Sequence, residues 1–256
     1  MCIRDSNTLI LSSGSHGKYL GRIDLKVSGG EVVEVNSTLI PIFSDVIAPD
    51  PKMSKLIGEL RAPYEKECRR IIGQAGALLY RRGNFDGSWD NVICDAIREH
   101  KDVEIALSPG FRWGTTLLPA QPITIDDIYT QTSMNYPAVY RTHMTGEQLK
   151  NMLEDVCDNL FNPNPYYQQG GDMVRIGGVS YECAPKELIG KRIQNMVMSS
   201  TGEPLESDKK YTVGGWASVN PKTKGPAIYD VLEDYITRKK IVRPSGNDHV
   251  KVTGVS

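Results

Sequence analysis

The sequence predicts an α+β fold in which a mixed sheet is flanked by helices and is preceded by a β-hairpin and a linker helix. Apolar and polar residues alternate from position 23 to 35 on both sides of Gly29-Gly30, which is typical of two strands joined by a tight turn. From Met53 onward, apolar residues recur at helical spacing. Beyond Gly73, short apolar strands and amphipathic helices mix.

The linker helix is predicted to begin at Asp50-Pro51, because proline is tolerated at the first helical position. Pro63 should kink it. Ser88 is expected to cap the next helix, and positions 103–107 predict a short buried strand. Thr145 and Gln148 have the spacing of a capping box at the start of a further helix. A last helix is predicted from the apolar stripe at 227–235.

Composition excludes several classes of protein. The 256 residues carry a net charge of −1, so no basic face for nucleic acid is indicated. No apolar run reaches the roughly 18–20 residues of a membrane span. Five cysteines without a CxxC pair argue against a disulfide framework and against a cysteine zinc site. Four histidines occur, none in a DxH, GHxH or HExxH cluster, so no metal ligands are predicted in this chain.

Three segments contain candidate binding residues. In Ser108–Gly114, Arg112 offers a planar fork for phosphate or sulfate oxygens, or simply stacks on Trp113. The stretch 164–178 combines paired glycines with aromatic and amide side chains, which favours a binding site over a pair of bulged turns. Trp216 could face a ligand or anchor the core, and isolated tryptophans more often anchor the core.

Several segments, in order, resemble the C-terminal half of the 5'-nucleotidase superfamily. They cover most of the chain, from about residue 8 to 241: Gly14–Arg22, Trp89–Ala96, Pro109–Arg112, Ile123–Tyr129 and Met144–Leu149. The aromatic base clamp of nucleotidases is absent, because Ser133–Ala138 and Ala217–Pro221 replace its two motifs. Other segments are similar to SoxB-type thiosulfohydrolases instead: Arg81–Phe85, Ser108–Gly114, Asn159–Pro163, Tyr166–Gly178 and Gly215–Ala217.

We expect four parts in the chain, the first from its own residues and the other three from the resemblance. Residues 1–6 resemble a non-native adapter scar, 7–47 the end of a metallophosphatase domain, 48–72 a linker helix, and 73–256 a 5'-nucleotidase-like C-terminal substrate-binding domain. An upstream domain that is not in this chain would hold two manganese ions, so this chain alone is expected to be inactive. The hairpin should then expose apolar residues such as Ile23 and Leu25.

The resemblance also implies a reaction and a set of residues. The whole protein would be a periplasmic hydrolase that releases sulfate from a cysteine-bound S-sulfonate on a carrier protein with a Gly-rich arm. Arg112 would clamp the sulfonate, while Tyr167, Gly170, Gly171 and Asp172 would line the channel. Weaker candidates are Asn84, Phe85 and Trp216. A nucleotidase or phosphoesterase domain and a non-catalytic module that binds a carrier or an anion stay open as alternatives.

Overall fold

The computed structural model describes residues 2–3, 9–14, 17–81, 83–111, 114–246 and 249–254. These residues form two compact units, Met1–Tyr64 and Glu65–Ser256. None of the helices in these ranges combines the length and apolar composition needed to cross a bilayer.

The first unit contains the predicted hairpin. The strands of this unit are β1 (Cys2–Ile3), β2 (Ile10–Leu11), β3 (Tyr19–Ser28) and β4 (Glu31–Pro41), and β3 with β4 forms the hairpin. Strands β3 and β4 pair antiparallel from Tyr19 opposite Pro41 to Ser28 opposite Glu31, with one register shift after Lys26. Gly29 and Gly30 both have positive φ, at 62° and 87°, which is the backbone that a two-residue hairpin turn requires. The predicted hairpin and its turn are confirmed.

The two faces of this hairpin differ in chemistry. Leu25 lies opposite Val35 on one face, while Lys26 lies opposite Glu34 on the other. Ile23 and Leu25 are 47% and 57% exposed. The expected exposure of apolar residues on the hairpin is therefore confirmed.

Helix α1 (Pro51–Arg61) follows in the same unit. The Asp50 carboxylate accepts a hydrogen bond from the Met53 amide at 2.8 Å, and Pro51 occupies the first turn, as predicted. The helix ends at Arg61, and α2 (Glu65–Cys68) begins the second unit. Pro63 lies in the intervening turn, so proline interrupts the helical path here rather than only bending it.

The second unit is a mixed α/β domain. Its further helices are α3 (Ser88–Lys101), α4 (Ile125–Gln131), α5 (Gly146–Phe161) and α6 (Ile228–Lys239), with a 3₁₀ turn at Pro165–Tyr167. Its strands are β5 (Ile71–Ala75), β6 (Ile105–Ser108), β7 (Pro122–Thr124), β8 (Tyr140–Thr145), β9 (Arg175–Gly177), β10 (Val179–Cys183), β11 (Ile193–Met198), β12 (Lys210–Gly215), β13 (Ile241–Val242) and β14 (Val250–Val252).

The largest sheet has the strand order β8-β12-β6-β9. Strands β12 and β6 run parallel, and both outer pairs are antiparallel, so the sheet is mixed. Two three-stranded sheets, β13-β5-β7 and β11-β10-β14, accompany it. One apolar core surrounds Trp89 of α3 and a second surrounds Leu149 of α5. The predicted fold class, a mixed sheet with flanking helices, is confirmed.

Helix capping follows the prediction at one helix and departs from it at another. Thr145 and Gln148 form the predicted capping box, each side chain bonding the other residue's backbone amide. The prediction for Ser88 was wrong, because Gly87 is the N-cap of α3. The Ser88 hydroxyl instead donates to the Leu78 carbonyl at 2.6 Å and accepts from the Tyr80 amide at 2.9 Å. The Ser88 hydroxyl is therefore bonded to the segment before the helix and does not cap the amides of its first turn.

Candidate functional site

The candidate site lies where β6 and β12 end. These parallel neighbours pair up to Leu107 and Gly215, so the residues that follow them emerge at the same edge of the sheet. The Trp216 indole N–H donates to the Ser108 hydroxyl at 2.8 Å, and both side chains are buried. Phe111 meets the Trp216 ring edge-on at 6.2 Å. Trp216 therefore packs in the core and holds the loop after β6, which agrees with the anchoring alternative.

Two further predicted segments approach this loop. Gly110 touches the 172–173 segment so closely that an added Cβ would lie 2.3 Å from the Met173 carbonyl oxygen. The Met173 amide in turn donates to the Asn84 carbonyl at 2.9 Å. The structure thus brings together Asn84, the loop after β6 and Asp172, which are more than 80 positions apart at the extremes.

A buried charge cluster of Arg81, Asp90 and Arg175, here called the charge triad, underlies these loops. Asp90 accepts from Arg81 Nε at 2.8 Å, and Arg175 Nε lies 3.3 Å from its second oxygen. All three side chains are at most 1% exposed. Buried charges of this kind are stable only with close partners, so the triad acts as one unit.

Each arginine of the triad also holds a loop. Arg81 donates to the Pro109 carbonyl at 3.0 Å and stacks over the Phe111 ring at 5.0 Å, which fixes the loop after β6. Arg175 donates to the Gly83 carbonyl at 2.7 Å and lies 3.8 Å from the Asp172 carboxylate. The triad therefore ties three candidate segments to a single buried carboxylate.

Burial perturbs the ionisation of the triad. It raises the pKa of Asp90, although both guanidinium groups oppose the shift. Burial likewise lowers the pKa of Arg81, opposed by Asp90. The pKa of nearby Asp86 is also raised by burial, against the hydrogen bond from the Gly87 amide. The interior below the loops therefore disfavours charge, and the mutual ion pairs offset this cost.

The triad was missed by the sequence analysis, although a signal for it exists. Asp90 lies on the same helical stripe as Ile93 and Ile97, at core-facing spacing, so a buried carboxylate could have been predicted there. A buried acid needs a cation, and Arg81, which directly follows the apolar run 77–80, is a natural partner. The position of Arg175 depends on the pairing of β9 with β6, and no local pattern in the sequence predicts that pairing.

The segment after α5 is more open. Tyr167 is 65% exposed, and Gly170 and Gly171 have positive φ with nothing within 4 Å of an added Cβ. The glycines are therefore required by backbone conformation and not by close packing within this chain. A cavity of about 460 Å³ borders the segment at Gln168, whose side chain donates to the Asn162 carbonyl at 2.7 Å.

The remaining predicted residues differ in how far they are buried, and some lie outside the described residues. Phe85 stacks on Phe161 at 5.8 Å and is half-buried, while Asn84 is exposed. Arg112 and Trp113 lie outside the described residues, as does His16. Within the described ranges, no three His, Cys, Asp or Glu side chains gather in a way that could hold a metal ion.

Comparison with known proteins places the chain in a family. Residues 72–234 match the family model described as "5'-nucleotidase, C-terminal domain". Protein UshA of Yersinia enterocolitica is 24% identical over 91% of this chain and 43% of its own length.

Solved structures of related proteins have the same fold as this chain. The sulfate thiohydrolase SoxB of Thermus thermophilus, in complex with glycerol, superposes with a TM-score of 0.89 at 30% identity, over 99% of this chain and 48% of that one. A 5'-nucleotidase precursor, also from Thermus thermophilus, gives a TM-score of 0.79 at 15% identity, over 100% and 54%. The chain thus spans about half the length of these relatives. It belongs to the 5'-nucleotidase C-terminal domain family of hydrolases, and its fold fits a SoxB-type member of that superfamily.

Proposed function

We propose that this chain is the substrate-binding portion of a thiosulfohydrolase that releases sulfate from a cysteine-bound S-sulfonate on a carrier protein. The observation that carries the proposal is the convergence of the loop after β6 with Asn84 and with Asp172 at one edge of the mixed sheet. Similarity to the sulfate thiohydrolase SoxB over nearly the whole chain supports the same interpretation.

In this proposal, Arg112 binds the sulfonate oxygens through its planar fork. The charge triad supports the loop that carries Arg112, since Arg81 bonds Pro109 and stacks on Phe111. Tyr167, Gly170 and Gly171 form an exposed border along which an extended, Gly-rich carrier arm would lie. The Asp172 side chain, almost fully buried beside Gly110 and 3.8 Å from Arg175, would close the inner end.

We further propose that the metallophosphatase domain of the whole protein, whose end residues 7–47 resemble, supplies two manganese ions. Such ions activate water and stabilise charge on the leaving group when bound. The exposed apolar face of the β3–β4 hairpin suits a strand pair from the end of that domain's sheet. A carrier-dependent sulfur enzyme of this kind would be periplasmic.

A nucleotidase or phosphoesterase function is the second candidate, favoured by the family match over residues 72–234. The substitution of both base-clamp motifs, at Ser133–Ala138 and Ala217–Pro221, weighs against it. A third candidate is a module that binds a carrier or an anion without catalysing a reaction.

The test uses the protein joined to its metal-binding domain and loaded with Mn²⁺. Sulfate release from an S-sulfonated Gly-rich cysteine peptide is compared with phosphate release from AMP, for the unsubstituted protein, Arg112→Ala and the exposed control Arg141→Ala. We expect sulfate release that falls at least about 100-fold in Arg112→Ala, because a bidentate charged contact is lost, and that is unchanged in Arg141→Ala.

Preferred hydrolysis of AMP would overturn the proposal in favour of a nucleotidase. Binding of the S-sulfonated peptide without release of sulfate or phosphate would instead favour the non-catalytic module. Equal loss in the Arg112 and Arg141 variants would remove Arg112 from the site.

A further inference from the structure

Two cysteines far apart in the sequence meet inside the second apolar core. Cys157 lies in α5 and Cys183 ends β10, and their sulfur atoms are 3.6 Å apart. Both side chains are fully buried. A disulfide has an S–S bond of about 2.05 Å, so the sulfurs need to approach by roughly 1.5 Å, which side-chain rotation and small backbone shifts supply.

The other described cysteines have different surroundings. The Cys94 sulfur faces the Ala106 carbonyl in the first core, and Cys68 is half-buried at the end of α2. Among the cysteines whose side chains the structure describes, the pair in contact is therefore Cys157 with Cys183. The odd number of cysteines, which argued against a disulfide framework, does not argue against one pair.

The pair has the asymmetry that thiol exchange needs. The hydrogen bond between the two sulfurs lowers the pKa of Cys157, opposed by burial and helped by the Arg192 guanidinium. The same hydrogen bond, together with burial, raises the pKa of Cys183. Cys157 is thus the sulfur that more readily becomes a thiolate and attacks.

The two cysteines lie on either side of the segment that follows α5. They are 26 positions apart, and the residues between them include Tyr167, Gly170, Gly171 and Asp172. A bond between the sulfurs would close this segment into a covalent ring at its base, while its tip stays exposed at Tyr167.

We propose that Cys157 and Cys183 are a dithiol redox site whose disulfide closes residues 158–182, from the end of α5 to β10, into a covalent ring. The oxidant is a small-molecule or protein disulfide. The Cys157 thiolate attacks one sulfur of that disulfide, which releases one thiol and leaves a mixed disulfide on Cys157. The Cys183 thiol then loses its proton, attacks the Cys157 sulfur and releases the second thiol. The protein loses two electrons and two protons, and the oxidant is reduced to two thiols.

Because both sulfurs are buried, exchange takes place while the chain folds or when the loop opens. The test therefore refolds the chain from urea in oxidised glutathione and, in parallel, in dithiothreitol. Free thiols are then alkylated, and the denatured protein is digested with trypsin without reductant. Oxidation should yield a linked pair of peptides, residues 151–175 joined to 176–186, lighter by two hydrogen atoms than the separate peptides and lost on reduction.

Two physical readouts accompany the peptide map. The oxidised chain should have a Tm higher by about 5–15 °C than the reduced chain, because the cross-link restricts the unfolded state. Chymotrypsin cleavage at the exposed Tyr166 and Tyr167 should leave the two fragments joined in the oxidised form, and reduction should separate them. Cys68→Ser should keep all three effects, and Cys183→Ser should lose them.

Absence of the linked peptides after oxidative refolding, or linkage of Cys157 to another cysteine, would overturn the proposal. The peptide map is made on the unsubstituted chain, so a poorly folding Cys183→Ser variant does not affect it. None of these readouts requires sulfate release. The significance of the ring for substrate binding rests on the proposed function. The disulfide itself is tested by the peptide map alone, whatever the outcome of the sulfate-release assay.

Discussion

Replacing Asp90 by asparagine tests the charge triad most directly. The substitution keeps the volume of the side chain but removes the only carboxylate that contacts both Arg81 and Arg175 at 3.3 Å or less within the described chain. An asparagine can still accept one hydrogen bond from Arg81, yet its NH₂ group would face the Arg175 donors. The fully buried Arg81 guanidinium would then lose its carboxylate partner, and Arg175 would keep the more distant Asp172 carboxylate at 3.8 Å.

The expected loss is large because the uncompensated charges have no access to water. Removing one partner of a buried ion pair typically costs about 3–5 kcal/mol of unfolding free energy, and we expect Asp90→Asn to fall in this range. For a domain of this size, the corresponding drop in Tm is roughly 6–20 °C. Urea unfolding at neutral pH, followed by circular dichroism, measures the free energy, and thermal scans measure the Tm.

Glu99→Gln is the matched control, since it lies on the same helix, α3, and removes an exposed carboxylate that pairs with Arg238 and Lys239. Exposed ion pairs contribute about 0–1 kcal/mol, so this variant should be nearly as stable as the unsubstituted chain. If both variants lose the same small amount, the triad contributes no more than surface charges do, and the reasoning from burial is refuted.

Three further predictions concern other elements. Asp158→Asn should lose about 1–2 kcal/mol at neutral pH, because the Arg192 hydrogen bond lowers the pKa of this carboxyl in the folded state. That stabilisation is present above the usual Asp pKa of about 3.9 and is lost as pH falls through the lowered value. The urea unfolding curves of the variant and the unsubstituted chain should therefore converge in acid. A difference in unfolding free energy that stays constant with pH would contradict this prediction. Gly177→Ala should lose about 1–3 kcal/mol of unfolding free energy, since its Cβ would lie 2.5 Å from that of Cys94; unchanged thermal stability would show that α3 can shift. Thr145→Ala should lose about 1 kcal/mol of unfolding free energy, measured with urea, because the capping box is lost. Thr145→Ser should keep the capping box and the stability, because serine also has a hydroxyl group.

Much of the fold was predictable because its signals are local. The alternation around Gly29-Gly30, the Asp50-Pro51 helix start and the Thr145 capping box each depend on a few neighbouring residues. Ser88 shows the limit of such signals. A serine before an apolar stripe is a good cap, but the carbonyl of Leu78 and the amide of Tyr80 bind it instead. Competition between a local and a tertiary partner is not visible in the sequence.

The candidate site was predictable only in part for the same reason. The segments around Asn84, Gly110 and Asp172 could be named one by one, but their convergence depends on the parallel pairing of β6 with β12 and on the charge triad. Trp216 illustrates the difference, since the same motif allows a ligand contact or a core anchor. Burial and the bond to Ser108 decide for the anchor. The pairing of Cys157 with Cys183 likewise needs the packing of α5 against β10.

The β3–β4 hairpin has a consequence for handling the chain in isolation. Its strands are 10 and 11 residues long and form a two-stranded sheet in the described structure, so each outer edge presents a row of backbone N–H and C=O groups without a ladder partner. Long edges next to an apolar face are templates for strand addition between molecules. Concentrated preparations should therefore self-associate through this hairpin, and charged residues introduced at Leu25 and Val35 should keep the chain monodisperse without disturbing the second unit.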